Sequence, residues 1–180
     1  RIPESFEIPE GWTAELLFAE PENDIYTFGL FDVEGLKQLE FRHRVMGLGG
    51  ACGEEEARPQ LMELDSETLD LPGYLPAADR PQPLSSPRFA FRGMETGAGV
   101  MTGMSIVNDA EPKPFCYYHD LLDTADRIIA FGDGVKIGRY MEPERFGHTR
   151  TFATMDEAKA FMRTEEYGTL KRILTSLQLG

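Results

Sequence analysis

Five prolines between residues 71 and 87, at positions 72, 76, 81, 83 and 87, constrain this chain more than any other feature. Each lacks a backbone N–H and fixes φ, so the segment can form neither a helix interior nor a continuous strand ladder. It is read as a linker ending an N-terminal part, residues 1–90, before a C-terminal part, residues 91–180. The N-terminal part opens with an arm, residues 1–11, in which two prolines and three glutamates surround isolated apolar residues. Residues 13–18 and 25–33 are rich in aromatic and β-branched side chains and flank Glu20-Pro21-Glu22-Asn23-Asp24, which predicts a hairpin. Leu36, Leu39, His43 and Met46 then fall at helical spacing, with Gly47, Gly49 and Gly50 as the stop, which predicts a helix of about three turns.

In the C-terminal part, residues 88–94 and 100–107 flank Glu95-Thr96-Gly97-Ala98-Gly99 and predict a second hairpin. Residues 115–140 have two readings. As a hairpin, residues 127–131 pair with 135–140 across Asp133-Gly134, a strong turn dipeptide. As a helix, Phe115, Tyr118, Leu122, Ala125 and Ile129 form one apolar stripe, with Pro112 and Pro114 ahead of it and Gly132 behind. The stripe is the longer pattern, so a helix is expected, followed by a strand at 135–141. Residues 148–153 predict a further strand, and Thr154-Met155-Asp156-Glu157 is a capping box opening a helix that turns Ala158, Phe161 and Met162 inward.

From residue 100 onward the expected order is strand, helix, strand, strand, helix, most of a ferredoxin-like unit. Within it, residues 151–161 (TFATMDEAKAF), closed by Glu165-Glu166-Tyr167, resemble the last strand-to-helix segment of the dimeric α+β barrel superfamily of small bacterial domains. Residues 129–135 (IAFGDGV) are similar to the glycine turn those domains place between their first helix and second strand. The resemblance covers roughly the last 80 residues. It implies an α+β fold: a ferredoxin-like antiparallel sheet with helices on one face, completed to a barrel by dimerisation or by tandem duplication, with the N-terminal part as a degenerate repeat. It also implies a small-molecule ligand. Members include cofactor-free monooxygenases, lactone isomerases and haem enzymes, so the fold alone selects no chemistry.

Eighteen basic and 31 acidic residues leave a net charge of −13, which repels phosphate backbones and anionic lipid heads. Nucleic acid and membranes are therefore not expected as partners. No apolar run reaches the roughly 18 residues of a membrane span, and residues 1–10 lack a signal-peptide core, so a cytoplasmic protein is expected. Cys52 and Cys116 lie far apart in the sequence and are read as free thiols. The glycine-rich loop at 47–53 runs straight into Glu54, Glu55 and Glu56, charges that would repel a phosphate.

On the expected helix, Cys116 and Asp120 share a face, as do His119 and Asp123. A carboxylate one turn from an imidazole orients it and raises its pKa, which prepares a general base. His148, Arg150 and Phe152 share one side of the expected strand, where His148 and Arg150 could hold an anionic or enolic substrate. The commoner use of such residues is a solvated helix face and an edge-strand ion pair. Cys116-x-x-His119 has metal-ligand spacing but no second paired motif, so neither metal nor cofactor is expected. The catalytic candidates are His119 or His148 as base, Arg150 as anion stabiliser and Tyr118 as auxiliary donor. Two functions fit: a cofactor-free enzyme acting by proton transfer on a carbonyl or phenolic compound, or a non-catalytic module whose acidic surface meets a basic protein.

Overall fold

The computed structural model describes residues 2–110, 112–138 and 150–180. The first expected hairpin is present: β1 (Thr13–Glu20) and β2 (Ile25–Phe31) are joined through a 3-10 turn at Pro21–Asn23 and a left-handed Asp24. The second is also present, as β5 (Leu84–Thr96) and β6 (Gly99–Asp109). Both were legible because apolar runs flank turn-forming residues.

The two expected helices, one after each hairpin, are strands. Residues 36–46 supply β3 (Lys37–Arg42), which pairs with β2. Here Leu39, Phe41, His43 and Val45 are all buried, a period of two that overrides the helical spacing. Residues 115–129 supply β7 (Tyr117–His119), β8 (Leu122–Asp123) and the start of β9 (Ile128–Gly132). Burial alternates strictly through this stretch: Cys116, Tyr118, Asp120, Leu122 and Thr124 are buried and the residues between them are not. Two of those five inward positions are polar, which hid the strand period from a reading of hydrophobicity alone. After β9, β10 (Lys136–Gly138) pairs with β7. The expected strand at 135–141 is described only as far as residue 138, and Tyr140 and His148 lie outside the described residues.

β4 (Leu61–Thr68) completes an antiparallel sheet ordered β1-β2-β3-β9-β6-β5-β4, with β8 on β9 and β11 (Thr151–Phe152) on β6. The described helices are short: α1 (Met155–Phe161), whose N-cap Thr154 accepts from the Glu157 N–H as the capping box predicts, and α2 (Glu165–Thr175). The ferredoxin-like α+β barrel is thereby corrected. Among the described residues the protein is predominantly an antiparallel β structure, with nine strands in its main sheet and only two short helices, not the ferredoxin-like α+β unit expected. Pairing of β3 with β9 and of β4 with β5 makes the sheet continuous across residue 90. Pro87 lies inside β5, at the register irregularity between Leu84 and Arg88 that tolerates its missing donor.

Alternation along β5 and β6 builds two layers. Phe89, Phe91, Met104 and Ile106 face α2, where Tyr167, Leu170, Ile173 and Leu174 close the main core. On the opposite face, the β7–β10 ribbon packs Tyr118 and Ile137 onto Leu61 and Met94.

Cys52 and Cys116 form a disulfide rather than free thiols. It pins the 43–60 connection to the ribbon, together with hydrogen bonds from the Tyr117 hydroxyl to the Gly50 carbonyl and from the Tyr118 hydroxyl to the Pro59 carbonyl. The bridge spans 64 residues of sequence. Restricting so long an unfolded loop is worth up to about 4 kcal/mol. The Cys52→Ser/Cys116→Ser variant should therefore unfold at a clearly lower urea concentration than the oxidised protein, and an unchanged midpoint would contradict this role.

Candidate functional site

Besides the buried Glu4–His43–Arg127 group, polar chemistry collects in a buried ionic layer under the ribbon and in an acidic cleft beside α2. The layer begins at Arg92, which stands opposite Gly103 on β6 and Glu63 on β4. Its guanidinium is only 1% exposed, is bidentate on Asp109, and donates from Nη1 to Asp120 Oδ1 at 3.3 Å. Arg88 extends the layer outward, pairing with both carboxylate oxygens of Glu63 at 2.7 and 3.0 Å. Gly103 makes the arrangement possible, since a Cβ there would lie 2.6 Å from Asp120 Oδ2 and 2.8 Å from the Ile137 side chain. Burial pushes the Asp120 carboxyl up to about 7, with Arg92 drawing it down and Asp109 and Glu63 driving it further up.

One edge of β6 serves two strands, pairing with β11 at Val100 and Met101 and with β9 at Ser105. Asp133 fills the fork between them. Its N–H donates to the Met104 carbonyl and its Oδ1 accepts from the Met104 N–H, each at 3.0 Å. Its other oxygen faces Arg150 Nη1 at 3.6 Å without a hydrogen bond. Burial also pushes the Asp133 carboxyl up to about 7, against the attraction of Arg150.

Arg150 leads from the fork to the cleft. Its Nη2 donates to Gln38 Oε1 at 2.6 Å and to Glu166 Oε1 at 2.9 Å, tying β3 to the first turn of α2. Gln38 and Glu166 are walls of a cleft of about 480 Å³ whose lining also includes Trp12, Asp32, Glu34 and Glu165. No lysine or arginine lines it among the described residues. Asp32 is held as an anion, its pKa lowered chiefly by the Leu36 N–H and also by Gln38. Val33 and Leu36, 71% and 56% exposed, add apolar surface to the lining.

The residues singled out from sequence do not converge. Tyr118 is buried, its hydroxyl donating to Pro59 O and accepting from the Phe115 N–H, so it acts as a structural strut. His119 is half-buried on β7 against the Tyr117 ring, and burial together with Lys136 lowers its pKa, the reverse of the expected carboxylate activation. Asp123, its expected partner, instead pairs with Arg80 at 2.6 Å. Arg150 is held by protein groups rather than left free for a substrate anion, and His148 lies outside the described residues. His43 is held between Glu4 and Asp24 at 2.8 and 3.0 Å.

Sequence reasoning missed Trp12, Asp32 and Glu34 because nothing local marks them. The only signals were the chain's single tryptophan and the acidic start of α2 at Glu165-Glu166. No family model, curated protein or solved structure matches the chain, and nothing in those comparisons bears on the α+β barrel resemblance of residues 151–161. No helix among the described residues is long and apolar enough to cross a membrane.

Proposed function

We propose that this protein is a non-catalytic binding module whose cleft takes a basic segment of a protein partner. One observation carries the reading: Trp12 stands among Asp32, Glu34 and Glu165, with Glu166 beside them already paired to Arg150, and no lysine or arginine belongs to the lining among the described residues. An aromatic face with surrounding carboxylates favours guanidinium and ammonium groups, and the net charge of −13 steers a basic partner toward it. The exposed Val33 and Leu36 supply the apolar contact that a protein segment needs and a small polar ligand does not. The scattered positions of Tyr118, His119 and Arg150 favour this reading over proton-transfer catalysis. As to compartment, the Cys52–Cys116 bridge supports surroundings oxidising enough to keep it closed, rather than the reducing cytoplasm.

Trp12 is the sole tryptophan, so its emission reports the cleft directly. An oligoarginine peptide should change that emission saturably and lose affinity as salt rises, whereas an oligoglutamate peptide should not bind. Glu34→Gln with Glu165→Gln should weaken binding roughly tenfold. His119→Ala should leave it unchanged. If the double variant binds as well as the parent, or if His119→Ala abolishes binding, the proposal fails.

A further inference from the structure

We propose that the Cys52–Cys116 pair, once reduced, forms a thiolate site for a divalent zinc-class metal ion with Glu56 as its third ligand. The site shares no residue with the acidic cleft and does not depend on the reading of that cleft. One sulfur from each cysteine and one Glu56 carboxylate oxygen all lie within 4.8 Å of one another. The two sulfurs are bonded to each other here and must part on reduction before one ion can be held by both. The Glu56 oxygen already lies within reach of a metal that takes sulfur at about 2.3 Å and carboxylate oxygen at about 2.0–2.2 Å. The two Cα atoms are 5.8 Å apart, so little backbone movement separates a bridged pair from a chelating one.

Three further features suit a metal thiolate. The Cys116 backbone N–H donates to Cys52 Sγ at 3.1 Å, a bond that stabilises negative charge on that sulfur. Glu56 is already oriented, its Oε2 accepting from the Gly53 N–H at 3.0 Å. A cavity of about 310 Å³ opens beside Cys116 and Glu56 and is also lined by Glu95, which leaves room for a fourth ligand, either that carboxylate or water.

The chemistry balances in two steps. A dithiol reductant delivers two electrons and two protons to the disulfide, giving two thiols and becoming a disulfide itself. Binding of the dication then releases the two thiol protons and forms two metal–sulfur bonds. The oxidised protein offers no thiolate, so metal uptake is switched by the redox state of this pair.

The test uses the full chain, reduced with dithiothreitol and desalted without oxygen, then titrated with zinc or with cobalt as a coloured probe. The reduced protein should take up one equivalent and show the sulfur-to-cobalt charge-transfer band, while the untreated protein shows neither. Glu56→Gln, which leaves the disulfide and hence the fold of the untreated protein in place, should weaken uptake by the reduced form on the order of tenfold or more. Cys52→Ser/Cys116→Ser should abolish the band, with near-ultraviolet circular dichroism confirming that this variant remains folded. Equal uptake by reduced and untreated protein, uptake that survives loss of both cysteines, or no uptake by the reduced protein would each overturn the proposal.

Discussion

Arg92→Leu should cost about 3–5 kcal/mol near neutral pH, the loss expected when one partner of a buried ionic group is removed. The guanidinium is sealed under the ribbon and is the shared counter-charge of Asp120 and Asp109, with Glu63 3.8 Å away. Leucine fills much of the volume but leaves the Asp120 carboxyl buried without a cation. The deficit should depend on pH. Asp120 titrates at about 7 in the folded protein against an ordinary value of 3.8, so the folded state binds the proton more tightly than the unfolded state does. Its contribution is therefore most favourable below the unfolded value and is lost as pH rises from about 4 through about 7. Asp133 shifts in the same direction and adds to that decline. Without Arg92 the Asp120 carboxyl holds its proton to still higher pH, so the variant should approach the parent in acid and diverge from it in base. Thermal melts between pH 5 and 8.5 measure this. A variant whose deficit is the same at both ends would show that the ion pair does not set it.

Gly132→Ala should be nearly as damaging, at or beyond the upper end of the roughly 1–3 kcal/mol typical of overpacking. A Cβ at this position would lie inside van der Waals contact of the Met104 carbonyl oxygen and 2.7 Å from Ser105 Cβ. Since the carbonyl belongs to the backbone of β6, no rotamer change relieves the clash. β9 would have to lift off β6 beside Asp133, whose backbone and carboxylate both bond to Met104. The substitution should thus lower the urea midpoint and also loosen Arg150, which links that fork to Gln38 and Glu166 of the cleft. A parent-like midpoint would mean that the β6–β9 contact is wider than described.

Much of the architecture was legible where local chemistry and tertiary context agree. The β1–β2 and β5–β6 hairpins carry their turn residues between apolar runs, and the Thr154–Glu157 capping box starts its helix as expected. Residues 115–129 failed for a physical reason. Their strand period passes through Asp120 and Thr124, which are buried because Arg92 and a local turn satisfy them, and those partners come from elsewhere in the fold or from unreadable geometry. With the polar inward positions discounted, the remaining apolar residues imitate a helical stripe. The same cause displaced the ferredoxin-like α+β expectation, which rested on that helix. Tyr118 and Arg150 were noticed for their chemistry, yet their partners Pro59, Gln38 and Glu166 give them structural work. The cleft was illegible because it joins Trp12 and the β2–β3 turn to the start of α2, which lies more than 100 residues further along the sequence.

The cleft reading is tested most directly by following backbone and Trp12 indole amide resonances while an oligoarginine peptide is added. The account predicts shifts concentrated at Trp12, across Asp32 to Gln38 and at Glu165 to Leu170, the segments that line the cleft. Shifts spread evenly over the other acidic surfaces, such as Glu54 to Glu56 or Glu63 to Glu67, with Trp12 unmoved, would contradict it and reduce the interaction to general charge attraction.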